Sequence, residues 1–350
     1  MRRIRMSLAV AGTIAALAVP LSVQAQSPSA SPAASSSTGV TVEIVGQATQ
    51  GGGVVPNDGR SYFLGGAQWG GSDIASDGSF YVVNAGTSEV WHTGEYAEPI
   101  VRWGQKGTGP GQFDFVRDPA PADGLAFGGV STSPLGGPFG NVYVADSGND
   151  RVQEFDHNGV FIRQFGGHGT GDGQFLDPID VAVGPTGLVY VVDDARDDIQ
   201  VFSPEGSMLS KIGSHGSGDG QLDHAGSVFV DAAGTLYAAD SGNDRVQAWG
   251  PDGTFLWSLG SKGTGPGQFD RPTDVGADAA GNVYVVDRHR LQIFGPDRSL
   301  ITTWSPPGTT DADALHSVVV GHDDYVIVDA PYGAPDSTLA YHLLVHWPKP

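Results

Sequence analysis

Carboxylates stand near the start of short apolar runs at Asp73, Asp123, Asp180 and Asp274, and hydroxyls take the corresponding place at Ser227 and Ser317. Three residues before the third, fourth and fifth of these positions stand Asp177, His224 and Arg271, three different ionisable types, and His316 directly precedes Ser317. A cationic triplet, Arg288-His289-Arg290, lies farther along. Oxygen donors of this kind, if brought together, suit a hard cation such as calcium, with Asp180 and Asp274 as its candidate ligands. A zinc site built on three imidazoles does not fit, because only His224 and His316 lie near these positions. Hydroxyls are too numerous for one Ser, His and Asp order to single out a nucleophile. All of this chemistry requires a fold that carries positions dozens of residues apart to one place.

The repeat in the chain supplies such a fold. Residues 142–161, VYVADSGNDRVQEFDHNGVF, return as LYAADSGNDRVQAWGPDGTF at 236–255, and a diverged copy, VYVVDDARDDIQVFSPEGSM, sits midway at 189–208, so the period is 47 residues. A fourth copy begins at Val283. Alternation of side chains predicts a strand, a Ser-Gly-Asn turn and an antiparallel partner in each copy, and Gly-containing turns add a strand before and after this pair. Each unit is therefore a four-stranded meander. It cannot bury both faces alone, and radial stacking of such sheets is the β-propeller solution.

The order Gly-Gln-Phe, then Pro-Ile-Asp-Val-Ala-Val, then Gly-Leu-Val-Tyr-Val-Val-Asp, then Asp-Ile-Gln-Val-Phe resembles the NHL repeat, and the copies carrying Ser-Gly-Asn-Asp-Arg-Val-Gln match it best. The resemblance implies an all-β, six-bladed propeller over residues 40–350. It is specific for fold and not for function. Some NHL relatives bind RNA through a basic face, and secreted bacterial relatives of similar fold include amidating lyases and lactonases with channel metals. The in-register residues of this chain are Asp or Ser rather than the several His that a channel zinc needs.

Several chemistry-like motifs belong to the repeat. Gly167-His-Gly-Thr-Gly-Asp-Gly173 has the glycine density of a phosphate loop, but it recurs from Lys106, His215 and Lys262, each time leading to Gln and then Phe or Leu with no helix behind it. It reads as a turn between blades. Asp146, Asp193, Asp240 and Asp287 end the second strand of four blades and are expected to hold the following turn, and Arg151 and Arg245 to tie strands together.

Residues 41–46 match the fourth strands that begin at Phe161, Met208 and Phe255, yet start no unit, whereas the last unit has only three strands. The N-terminal strand is thus expected to complete the last blade, which removes two exposed edges. Blade two is 15 residues longer than the period, as Tyr81 to Tyr143 spans 62 residues and Tyr143 to Tyr190 spans 47. The excess is expected around residues 115–122 and 130–138.

Fifty-three Gly, 23 Pro, no Cys and 16% charged residues suit short strands and tight turns, and exclude disulfides and thiol chemistry. Residues 1–25 combine Arg2, Arg3 and Arg5 with an apolar run and a Val23-Gln24-Ala25 exit, the pattern of a signal peptide cleaved near Ala25. Residues 26–39 read as a flexible Ser/Pro/Ala-rich linker. Loss of the leader would take the formal charge from -21 to -24, which disfavours nucleic acid as a partner. No other stretch is apolar enough to span a membrane. The expectation is a secreted or cell-envelope binding or scaffolding module for a protein or glycan, the alternative being a metal-assisted lyase or hydrolase at the channel mouth.

Overall fold

A computed structural model describes residues 40–49, 69–75, 78–94, 99–115, 128–133, 140–288, 290–306, 315–321, 325–329 and 338–347. The leader and linker expectations lie outside these residues. Strand β1 (Thr41–Thr49) comes first, and six sheets account for all strands. Blade one comprises β2 (Trp69–Ile74), β3 (Phe80–Asn84), β4 (Glu89–Thr93) and β5 (Pro99–Trp103). Blade two comprises β6 (Val130–Thr132), β7 (Asn141–Asp146), β8 (Arg151–Asp156) and β9 (Phe161–Gly166). Blade three holds β10 (Pro178–Val183), β11 (Val189–Asp193), β12 (Asp198–Phe202) and β13 (Met208–Ile212). Blade four holds β14 (Ala225–Val230), β15 (Leu236–Asp240), β16 (Arg245–Trp249) and β17 (Phe255–Leu259). Blade five holds β18 (Asp274–Ala277), β19 (Val283–Asp287), β20 (Arg290–Phe294) and β21 (Leu300–Trp304). Blade six has β22 (Ser317–Val320), β23 (Tyr325–Asp329) and β24 (Thr338–His346).

Pairing within every blade is antiparallel, and β1 pairs with β24 to become the outermost strand of blade six. The innermost strands neighbour one another in sequence, and β22 returns beside β2, so the ring closes. Closure leaves no innermost edge available to another chain.

Packing explains the pattern of each strand. The second strand of blade three, Val-Tyr-Val-Val-Asp, is buried at all five positions, because neighbouring blades cover both of its faces. Outermost β9, Phe-Ile-Arg-Gln-Phe-Gly, instead alternates between half-buried and exposed. Apolar clusters lie between blades rather than within them. One joins Val192, Ile199 and Ile212 of blade three to Leu222, Leu236 and Trp249 of blade four, and another joins Tyr143 and Val152 of blade two to Val181 and Val191 of blade three. A blade thus has no core of its own, and the repeat folds as a ring.

The Gly-rich loops are the joints of that ring. Phe113, Phe175, Leu222 and Phe269 are fully buried plugs at their ends. The plug explains the glycine that closes the preceding outer strand: Gly166 has φ 101° and a Cβ there would stand 2.6 Å from the Phe175 ring. Within the loop, the Gln174 side-chain carbonyl accepts the Gly171 amide at 2.9 Å, while Gln200 of the next blade accepts the Gly173 amide at 2.9 Å. The same pair of bonds recurs at Gln221 and Gln247, and at Gln268 and Gln292. The loop amides are spent on the scaffold.

Candidate functional site

Strand directions put two sets of loops on one face of the ring: the turns after each second strand and the Gly-rich loops that lead into the next blade. The turns in blades two and four, Ser147–Asn149 and Ser241–Asn243, end on Asp150 and Asp244 in the left-handed conformation. Their equivalent in blade three, Asp194–Arg196, ends on Asp197 with φ 56°.

A buried aspartate organises each of these turns. Asp240 accepts the Asp223 amide at 2.8 Å, the Arg245 Nε at 2.7 Å and the Asn243 and Gln247 amides at 3.0 Å. Arg245 reaches on to the carbonyls of Ser217, Gly218 and Gln221, so it fastens the Gly-rich loop to blade four. Asp146 and Arg151 repeat the arrangement, with Arg151 donating to the carbonyls of Thr108, Gly109 and Gln112. Burial pushes Asp146 and Asp240 above the usual carboxylate range against these bonds, and takes Asp193 to about 6.

Arg290 joins this scaffold set. Its Nε donates to Asp287 at 3.2 Å and its guanidinium to the carbonyls of Thr264, Gly265 and Gln268. It is the blade-five counterpart of Arg245, so of the Arg288-His289-Arg290 triplet this arginine belongs to the scaffold. What blade five changes is the turn before it. Arg288 is exposed there, and His289 lies outside the described residues.

At the inner strands, Asp73, Asp180 and Asp274 act as clasps between successive blades. Asp73 Oδ2 accepts the Thr132 amide at 2.6 Å and the Thr132 hydroxyl at 2.9 Å. Asp180 Oδ2 accepts the Val228 amide at 2.9 Å, and Asp274 Oδ2 the Val318 amide at 2.8 Å. The second oxygen of each accepts the amide of the next residue, Ile74, Val181 or Val275, at 2.8 Å. Blade one is thereby clasped to two, three to four, and five to six. Burial raises Asp73 and Asp274 to about 6. It raises Asp180 well above the usual carboxylate range, with the charges of Asp274 and Asp73 adding to the effect. Asp180 therefore lies within electrostatic reach of both other carboxylates.

Their register is less uniform than the repeat suggests. Asp180, Ser227 and Asp274 are equivalent, being opposite Val192, Ala239 and Val286 of the second strands. Asp73 sits opposite Tyr81, two residues farther along, because it precedes Tyr81 by 8 positions where Asp180 precedes Tyr190 by 10; the bulge in β2 is one that β10 and β14 share. Ser317 pairs with Asp329, one residue earlier, on a strand without a bulge. In blade two the inner strand is β6 (Val130–Thr132), so the equivalent place falls at Gly129 and not at Asp123, which lies outside the described residues. A Cβ on Gly129 would collide with the Asp180 side chain, so glycine makes room for that clasp. Eleven of the 15 extra residues of blade two precede β6, and the remaining four lie in the hairpin after it.

The remaining candidates occupy the face itself. His224 is exposed with φ 51°; its amide donates to Asp197 Oδ1 at 2.8 Å, and its Nδ1 lies 3.1 Å from Asp194 Oδ1. The Asp194 carboxylate raises the His224 imidazole above its ordinary value. Arg271 is also exposed, and its amide donates to Asp244 at 2.9 Å. Its charge acts on Asp194. The groups that stabilise the Asp180 and Asp274 carboxylates are the backbone amides of the clasps and, for Asp274, the Ser227 hydroxyl. His316 is half-buried just before β22.

One group escaped the sequence reading. Asp197, His215 and Asp223 each place a potential ligand atom within 4.8 Å of the other two, across the seam of blades three and four. The available signal was a coincidence within the repeat: His215 stands where the loops entering blades two and five have Lys106 and Lys262, and Asp223 recurs as Asp114 and Asp270 but not at Leu176, so only this seam joins the imidazole to that carboxylate.

No protein-family model matches the chain, and no curated protein matches it. Solved structures share its fold. A streptogramin B lyase is 10% identical, with 88% of this chain and 98% of that chain covered and a TM-score of 0.58. A gluconolactonase from Xanthomonas campestris is 14% identical over 90% of this chain and 98% of that one, with a TM-score of 0.55. A chain of a nidogen/laminin complex is 16% identical over 79% of this chain and 97% of that one, with a TM-score of 0.53. At such identities the likeness establishes the fold alone, a six-bladed β-propeller that hosts unrelated activities.

Proposed function

We propose that this protein is an exported NHL-type propeller that serves as a binding or scaffolding module for a protein or glycan partner. The observation that carries the proposal is the contrast between shared and varied positions on one face. Residues common to the blades, such as Asp146 and Arg151 or Asp240 and Arg245, are consumed by bonds to one another and to the Gly-rich loops that join the blades. At equivalent places on the same face the chain varies Asp177, His224 and Arg271, and His224, Arg271 and Arg288 are exposed. The repeat pattern supports the NHL assignment, residues 1–25 support export, and the acidic charge opposes a nucleic-acid partner. Among the described residues no helix is long and apolar enough to cross a membrane.

The alternative is a metal-assisted lyase or hydrolase at the channel mouth, with calcium on Asp180 and Asp274; lyase and gluconolactonase structures of the same fold keep it in view. The donor chemistry favours the binding reading, because both oxygens of each carboxylate already accept an amide. The test is binding of purified protein to a panel of envelope glycans and secreted proteins, beside a His224→Ala/Arg271→Ala/Arg288→Ala variant of equal melting temperature. A ligand bound without turnover, and at least about tenfold more weakly by the variant, is expected. Calcium-dependent turnover abolished by Asp180→Asn would move the function to the channel.

A further inference from the structure

The seam between blades three and four carries a donor set that the neighbouring seams lack. Asp197 Oδ2 lies 2.8 Å from His215 Nδ1, and the Asp223 carboxylate completes a group whose ligand atoms are mutually within 4.8 Å. We propose that Asp197, His215 and Asp223 form a binding site for a divalent first-row transition ion of the zinc class.

The repeat provides the internal control. At the seam of blades two and three, Asp150 faces His168 at 2.9 Å, but the place of Asp223 is taken by Leu176. The equivalence of Leu176 and Asp223 is set by their amides, which donate to Asp193 and Asp240 respectively. At the seam of blades four and five, Asp244 faces Lys262 at 3.4 Å, a cation with no lone pair to offer while charged. All three seams keep the same backbone joint, with the amides of Gly169, Gly216 and Gly263 each donating at 2.9 Å to Phe175, Leu222 and Phe269. The Asp223 carboxylate has counterparts in Asp114 and Asp270, which stand in loops carrying Lys106 and Lys262, and the His215 imidazole has one in His168, beside Leu176. The joint forms with either residue at each place, so the coincidence of imidazole and second carboxylate at one seam is not required by the scaffold.

The geometry suits a metal. Two donors bound to one zinc at about 2.0–2.1 Å stand roughly 3.0–3.4 Å apart, so the Asp197 and His215 atoms need only a small outward adjustment. The two carboxylates are held in place beforehand. Asp197 Oδ1 is fixed by the His224 amide at 2.8 Å. Asp223 is anchored through its own amide and through its carbonyl, which accepts the Gly242 amide at 2.8 Å. Gly242 also leaves space for the Asp223 carboxylate, since a Cβ there would come within 2.8 Å of Oδ2. His215, with 75% of its side chain exposed, is the ligand free to adjust. Imidazole with two carboxylates favours the zinc class over calcium, which prefers six to eight oxygens. Three protein donors leave a fourth position toward solvent for water or for a donor from a partner.

The experiment is calorimetric titration of the EDTA-stripped, purified protein with zinc chloride, repeated for Asp223→Asn, His215→Gln and His168→Gln. One saturable zinc per chain is expected in the parent and in His168→Gln. Asp223→Asn and His215→Gln should each weaken it by at least about tenfold while melting as the parent does in EDTA. No saturable zinc in the parent, unchanged binding in both seam variants, or loss of binding in His168→Gln would overturn the proposal. Binding by the triple face variant used above is scored separately, so either reading can fail alone.

Discussion

The three clasping carboxylates make the ring sensitive to pH in an uncommon direction. Asp73 and Asp274 titrate at about 6 in the folded ring, against roughly 3.9 in an unfolded chain. Between those values the folded state binds more protons than the unfolded one, so stability falls as pH rises through the window. Each such group costs at most about 3 kcal/mol at neutral pH relative to pH 4. Asp180, raised farther by its neighbours' charges, acts in the same sense, as does Asp193 at about 6. His224, raised by Asp194, contributes stability that is present below its unfolded value near 6.5 and lost as pH rises, which again favours acid. Asp172, Asp252 and Asp297 are exposed and held low by hydrogen bonds; their stabilising effect is lost only on acidification below the ordinary carboxylate range.

Urea unfolding at pH 5.0, 6.0 and 7.5 therefore should give the highest stability at pH 5.0, which is still above the sequence pI of 4.5. The Asp180→Asn/Asp274→Asn variant separates the clasps from the other groups. It keeps a side-chain carbonyl for one amide per site while removing the charge, so the difference between pH 5.0 and 7.5 should shrink by about 2 kcal/mol or more. Stability that is flat or rising from pH 5.0 to 7.5, or a slope unchanged in the double variant, would refute the burial argument.

Two other outcomes test the scaffold. Arg245→Ala strands the buried Asp240 carboxylate and three loop carbonyls and should cost about 3–5 kcal/mol in unfolding free energy, whereas Lys262→Ala, 79% exposed beside Asp244, should cost about 0–1 kcal/mol. Equal losses would show that the arginine is not a joint. Deletion through Gly46 removes most of the β1 pairing with β24 and should lower the melting temperature and promote self-association, readable by light scattering; deletion of residues 26–39 alone should do neither.

The ring was legible because its physics is periodic. A 47-residue unit with a buried second strand and a plug at the loop end requires neighbours on both sides, and the unmatched fourth strand at residues 41–46 required a blade with three strands of its own. What was not legible lies where the period breaks. Blade two's inner strand was expected from Asp123, after an insertion around residues 115–122, but residue types alone cannot divide the excess between two loops. Pairing can, and Val130 opposite Val144 places the strand several residues later. Asp73 is a different case: it precedes Tyr81 by 8 positions where Asp180 precedes Tyr190 by 10, so it stands two residues along β2 from the place that Asp180 holds in β10, and the spacing to the second strand carried that difference.

Asp197, His215 and Asp223 were missed for a different reason. They are 26 residues apart at most, yet they come from a turn, a Gly-rich loop and the end of that loop, and each residue type is ordinary where it stands. Asp197 has counterparts in Asp150 and Asp244, His215 in His168, and Asp223 in Asp114 and Asp270. A scaffold can be read from what all blades share, because each seam must satisfy the same amides and carbonyls. A site in such a ring has to be sought in residue types that coincide at one seam, because the donors a ligand needs meet across two blades and neither blade carries the set alone.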